Sequence, residues 1–340
     1  MLLRALAIPG LEAWEIVEQW IAALWPSVPD EWTTRFCRRD NFLGSVQEYV
    51  ERTPDAVRLE IYAAFVRENR VARILAAGGD FRGLETWRAA HRNSYDSVAH
   101  ILLSFYGAIY RGNTGTNPWP GYQFKHKGAI VLFSRVSYLD DFRRANPKVT
   151  VCPYCDGEMD LAQLDHFYPE SKWQFFCCSP FNLIPICFTC NSPSCKHMKV
   201  PLDSGPPNSA ANWLHPYLRT GAKRFSIQLV GNSPDPVPEL RAFVATEQRQ
   251  FDNAASLVDL RRRWQTRLRS VFADLKSHIR REVREAARQN RTPESLDATL
   301  LEIGIDADEN AGTIPSALLR RAVCEAAIFG RADYRAELVA

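Results

Sequence analysis

Two cysteine pairs, Cys152-x-x-Cys155 and Cys187-x-x-Cys190, have the spacing at which a tight turn aims two sulfurs at one ion. Together they supply four thiolates, the donor set of a closed tetrahedral Zn2+ site. Such a site leaves no open coordination position, so its expected role is structural. The plainer alternative, four unrelated buried thiols, requires two identically spaced pairs to have arisen by chance. The segment between the pairs is longer than a compact zinc ribbon needs, so we expect it to carry something. It contains Asp165-His166 in the stretch "LDHFYPESKW". A neutral imidazole can take a proton from water near neutral pH. A carboxylate beside it can hold a hard cation, Mg2+ or Mn2+, and such an ion can offset charge on a phosphoryl group. On its own the dipeptide fits a hydrogen-bonded histidine in a small core equally well.

Two asparagines extend the pattern. Asn182 opens "NLIPIC", and Asn191 follows the second cysteine pair directly. The order Cys-x2-Cys, Asp-His, Asn, Cys-x2-Cys-Asn resembles the HNH endonucleases, the ββα-metal nucleases, in a His-Asn-Asn form. The resemblance implies that His166 is the general base, that Asp165 and Asn191 hold the catalytic divalent ion, and that Asn182 braces the loop bearing the histidine. "LDHFYPESKW", "SPFNLIPICFTCN" and "WLHPYL" are also similar to segments of HNH nucleases from bacterial anti-phage defence operons. Those include Septu-type proteins, whose nuclease works with an ATPase partner. The resemblance covers residues 150–220. It implies hydrolysis of nucleic-acid phosphodiester bonds, DNA in preference to RNA, leaving 5′-phosphate and 3′-hydroxyl ends. The family's lysine lies three or four residues after the last motif position, whereas Lys196 stands five beyond Asn191, with Pro193 and Cys195 between. His197 is therefore an alternative to Asn191 as ligand.

Further candidates surround this core. Lys172 and Lys196 are expected phosphate contacts. From Arg261 to Arg288 the chain carries nine arginines and one lysine against three acids, enough to neutralise several phosphates. Arg261, Arg262 and Arg263 are the expected nucleic-acid contacts there, although such a run also suits a solvated helix face or one paired with acids elsewhere. Trp264 and Phe272 read as its core side. Glu170 reads as a solvated carboxylate, His215 as packed against Trp213 and Tyr217, and Cys177, Cys178 and Cys195 as spare thiols.

The elements that must position these residues are mainly helical. Apolar residues recur every three or four positions in "PGLEAWEIVEQWIAALW", "DAVRLEIYAAFVRENRVARIL" and "HRNSYDSVAHILLSFYGAIY". A loop is expected over 111–128, then a helix through "AIVLFSRVSYLDDFRR". A strand is expected at 224–230, a turn-rich break at 231–239, and one long helix over 245–290. The expected fold is mainly α with a small zinc-stabilised ββα-metal module: a helical N-terminal region (1–147), the nuclease module (148–220) and a helical, basic C-terminal region (221–340). The net charge of +3 and 46% hydrophobic content are ordinary for a globular chain. No apolar run approaches the ~18 residues of a membrane span, and no signal peptide is expected. Nine cysteines, an odd number clustered near one site, suit a reducing cytoplasm better than a disulfide framework. The alternative reading is a zinc-stabilised nucleic-acid- or protein-binding module without catalysis.

Overall fold

The computed structural model describes residues 2–24, 41–77, 88–111, 122–126, 129–133, 135–159, 161–177, 179–203, 209–221, 223–233 and 235–340. Cys37 and Cys178 lie outside them. The chain is mostly helical and forms two compact units. One comprises 1–145, 166–184 and 202–211; the other comprises 146–165, 185–201 and 212–340. The change of unit at 145/146 falls close to the expected boundary at 147, whereas the segment 148–220 is divided between both units.

The first unit holds helices α1 (Leu2–Leu6), α2 (Ala13–Leu24), α3 (Phe42–Arg52), α4 (Asp55–Glu68), α5 (Val71–Ala76), α6 (Arg92–Arg111) and α7 (Arg135–Ala145). Helix α3 buries Phe42, Val46 and Tyr49, and α6 buries Tyr95, Val98, Leu102 and Tyr106, the spacing that puts side chains on one face. Tyr95 donates to the Gln174 side chain at 3.1 Å, and its ring packs against Phe175. Helix α6 thereby reaches the segment after the Asp-His pair. Strands β1 (Tyr122–His126) and β2 (Ala129–Phe133) form an antiparallel hairpin with Tyr122 opposite Phe133. This corrects the expected loop at 122–126 and the expected helix from 129; the expected loop at 112–121 and 127–128 lies outside the described residues. The short run "AIVLF" is compatible with either period, and its branched and aromatic residues suit a strand. The helix begins only at Arg135.

Strands β3 (Gln163–His166) and β4 (Leu183–Ile186) pair with each other and lead to the one-turn helix α8 (Phe188–Asn191). In the second unit β5 (Phe225–Val230) pairs antiparallel with β6 (Val237–Ala242), so the expected break at 231–239 shrinks to the turn that joins them. Gly231 supplies positive φ (99°) at that turn. Helices α9 (Gln248–Leu257), α10 (Leu260–Arg288), α11 (Leu296–Glu309), α12 (Ala317–Ile328) and α13 (Ala332–Val339) follow. The single long helix expected over 245–290 is broken between α9 and α10 by Asp259, whose φ of 51° is left-handed and tolerated by a short polar side chain. Helix α10 buries Leu260, Trp264, Leu268, Val271, Phe272, Leu275 and Ile279 along one stripe. Among the described residues, no helix is long and apolar enough to cross a membrane.

Candidate metal centre and the Asp-His segment

The first cysteine pair sits on a tight knuckle. Cys152 N–H donates to the Gly157 carbonyl at 2.7 Å, and the Cys152 carbonyl accepts from Asp156 N–H at 2.9 Å. Asp156 turns the chain with φ 55°. The second pair brackets the start of α8, where the Cys187 sulfur caps the helix by accepting from Cys190 N–H at 3.4 Å. The four sulfurs converge. Cys152 and Cys190 are 3.7 Å apart, Cys155 and Cys187 are 3.8 Å apart, and all four lie within 4.8 Å of one another. A tetrahedron with zinc–sulfur bonds of about 2.3 Å has edges of about 3.8 Å, so the cage fits that ion. All four cysteines are buried, and among the described residues this is the one His/Cys/Asp/Glu group able to hold a metal.

The thiols already share protons unequally. Hydrogen bonds from neighbouring thiols, Cys152 first, hold Cys155 down at about 6 and drive Cys187 well below the ordinary thiol range. Burial pushes Cys152 up, and its three neighbours push Cys190 up. A bound metal would take all four as thiolates.

Helix α10 lies on this cage. Arg263 Nη1 is 2.6 Å from Cys190 Sγ and its Nη2 is 3.8 Å from Cys187 Sγ. Arg267 Nη1 donates to the Cys155 carbonyl at 2.7 Å, with Nη2 3.6 Å from Cys155 Sγ. Trp264 Nε1 donates to the same carbonyl at 2.9 Å. Its neighbours on the run are paired with acids: Arg261 with Glu239 at 3.5 Å, Arg262 with Asp259, and Arg269 with Asp235 at 2.7 Å. Arg263, expected as a nucleic-acid contact, is thus turned to sulfur.

Asp165 is buried on β3. Its Oδ1 accepts from Lys196 Nζ at 2.8 Å and its Oδ2 from the Tyr154 hydroxyl at 3.1 Å. Burial raises the Asp165 carboxyl to about 6 against the pull of Lys196, and burial lowers the Lys196 ammonium against the pull of Asp165. Desolvation outweighs attraction on both sides of this pair. Lys196, expected as a phosphate contact, is fully buried at 0% exposure, which corrects that expectation: its charge is spent on a carboxylate 31 positions away. Asn191 donates its carboxamide to Gln163 Oε1 at 2.8 Å. His197 is exposed, with φ 39°.

His166 and Asn182 are placed by a different set of contacts. Asn182, 1% exposed, accepts from Tyr168 N–H at 2.7 Å and donates to the carbonyls of Tyr168 at 3.0 Å and Phe176 at 3.1 Å. Phe167 N–H donates to the Asn182 carbonyl at 2.8 Å. The loop after His166 is therefore pinned at three successive points. His166 Nε2 lies 3.1 Å from the Cys177 carbonyl. A carbonyl only accepts, so that nitrogen carries the hydrogen of this contact. Nδ1 faces Glu170 at 3.4 Å, and Tyr106 meets the ring edge-on at 4.8 Å. Lys172 is exposed on the turn that follows. His215 is a turn anchor, its Nδ1 accepting from the N–H groups of Tyr217 at 3.2 Å and Leu218 at 3.3 Å.

Sequence reasoning missed two participants, Tyr154 on Asp165 and Arg267 on the cage, and read Glu170, which faces His166, as a solvated carboxylate. Tyr154 lies inside the first cysteine pair and Arg267 one helical turn from Arg263, so position alone marked both as neighbours of the site. No protein-family profile, curated protein or solved structure matches the chain.

Proposed function

We propose that the chain is an HNH-type endonuclease, acting on nucleic acid in the cytoplasm as part of bacterial anti-phage defence, with DNA preferred to RNA. The supporting observation is the bracing of the His166 loop by Asn182, together with the Cys177 carbonyl that fixes the ring through Nε2. That is the division of labour the resemblance implies for these two residues. In this reading water gives its proton to Nδ1 and its oxygen attacks phosphorus. The bond to the 3′ oxygen breaks, leaving 5′-phosphate and 3′-hydroxyl ends. The imidazolium formed lies 3.4 Å from the Glu170 carboxylate, which favours the charged ring. Exposed Lys172 remains a candidate phosphate contact, and an ATPase or other defence-operon protein is the implied partner.

The four-sulfur cage suits structural Zn2+. Asp165 and Asn191 offer the oxygen donors that Mg2+ or Mn2+ takes. At Asp165 the fit is poor in this arrangement, because Lys196 and Tyr154 hold both oxygens and an ammonium repels a cation. The same ion pair favours a second reading, a zinc-stabilised binding module without hydrolytic activity.

Incubating supercoiled DNA and single-stranded RNA with the zinc-loaded chain in Mg2+ or Mn2+, with and without the partner ATPase, separates the two. A nuclease cleaves and loses about 100-fold or more in His166→Ala, the scale of a general base. Intact DNA and RNA under every condition would leave the binding module standing.

A further inference from the structure

We propose that Arg263 and Arg267 form a cationic clamp on the sulfur cage, so that zinc retention and the seating of α10 depend on each other. Four thiolates and one Zn2+ sum to two negative charges, and buried charge is costly unless paired. Two guanidiniums supply the balance. Both are only partly buried, and they sit four residues apart on one helix face. Between them they reach Cys190, Cys187 and Cys155 at 2.6, 3.8 and 3.6 Å. Arg262 and Arg269 on the same helix bind exposed acids instead, so cage contact is specific to one face.

The knuckle leaves room for the clamp. A Cβ on Gly157 would meet Arg267 Nη2 at 2.1 Å and Cζ at 2.6 Å, and the position has no positive φ, so an alanine there would displace the end of Arg267 rather than strain the backbone. Trp264, 3% exposed, adds its hydrogen bond to the Cys155 carbonyl and ties the buried stripe of α10 to the same turn. Partners of this kind orient metal ligands and tune how tightly they hold. A bound metal gathers all four sulfurs as thiolates against the two guanidiniums, so losing it weakens the anionic anchor on which the helix sits. This inference does not rest on the nuclease reading.

The test follows zinc leaving the full-length, zinc-loaded chain into excess chelator with a chromogenic indicator. Arg263→Ala and Arg267→Ala should release zinc about 10- to 100-fold faster, the usual cost of removing such partners. Gly157→Ala should match Arg267→Ala although it keeps every charge. Lysine at either position should fall between, since an ammonium keeps the charge but lacks the fork. Arg269→Ala should release zinc at the wild-type rate. In hydrogen exchange, amides at the start of α10 should lose protection when zinc is stripped. Wild-type release rates in the clamp and Gly157 variants, or equal acceleration by Arg269→Ala, would overturn the proposal. Should the alanine variants not fold, the lysine variants and Gly157→Ala decide it by the same rates.

Discussion

The cysteine cage and the Asp-His segment are both buried and both rich in polar atoms, yet they are organised oppositely. In the cage four sulfurs converge on one point, and the cations around them stand outside that point. At Asp165 the cation is inside: Lys196 and Tyr154 already occupy the carboxylate. The first is a ligand set shaped for a metal; the second is a polar cluster satisfied by the chain itself, next in sequence to a histidine whose loop is pinned by Asn182. Four sulfurs that converge with no cation among them fit a metal, whereas a metal-compatible carboxylate already paired with a lysine does not.

The comparison is broken most severely at the cage. Cys187→Ser should remove most bound zinc and the cooperative unfolding of the second unit, since structural zinc contributes about 10 kcal/mol or more of apparent binding energy. Metal content and thermal melts would show it. The next largest effect belongs to the buried pair. Lys196→Ala leaves the buried Asp165 without its cation, at a cost of about 3–5 kcal/mol in urea unfolding, and pairing Asp165→Asn with Lys196→Met should recover most of it. If Lys196→Ala is silent, the pair is not what holds β3. Asn182→Ala strips a partner from three buried backbone groups and should cost a few kcal/mol in the same unfolding measurement, at about 1–3 per group.

A further effect is a pH dependence in the cage's own knuckle. Burial raises the Asp156 carboxyl from 3.8 to about 7, against hydrogen bonding from Leu318 N–H. The folded chain therefore binds that proton more tightly than the unfolded chain, and the contribution of Asp156 to stability falls as pH rises from about 4 to about 7. Asp156→Asn keeps the left-handed turn and lacks this term. Its melting temperature should gain on wild type across that range, which a paired series of melts at fixed zinc would check.

Local features were legible in the sequence. The two knuckles are spacing rules written within a few residues, and helical periodicity located most of the helices. Asn182 was visible through resemblance, and its hydrogen bonds fit the implied bracing. What escaped depends on distant partners. The burial of Lys196 follows from a carboxylate 31 positions away, and the task of Arg263 from a sulfur 73 positions away. A basic run reads as a phosphate-binding stripe until its acids and thiolates are known. The hairpin at 122–133 and the break at Asp259 escaped for another reason: a five-residue apolar run has no distinguishing period, and a left-handed aspartate leaves no composition signal.

X-ray absorption at the zinc edge, on the purified full-length chain with its metal content measured alongside, tests the central claim most directly. The account requires one zinc per chain with four sulfur neighbours at about 2.3 Å. A zinc-free protein, or a shell of nitrogen and oxygen donors in place of sulfur, would contradict it.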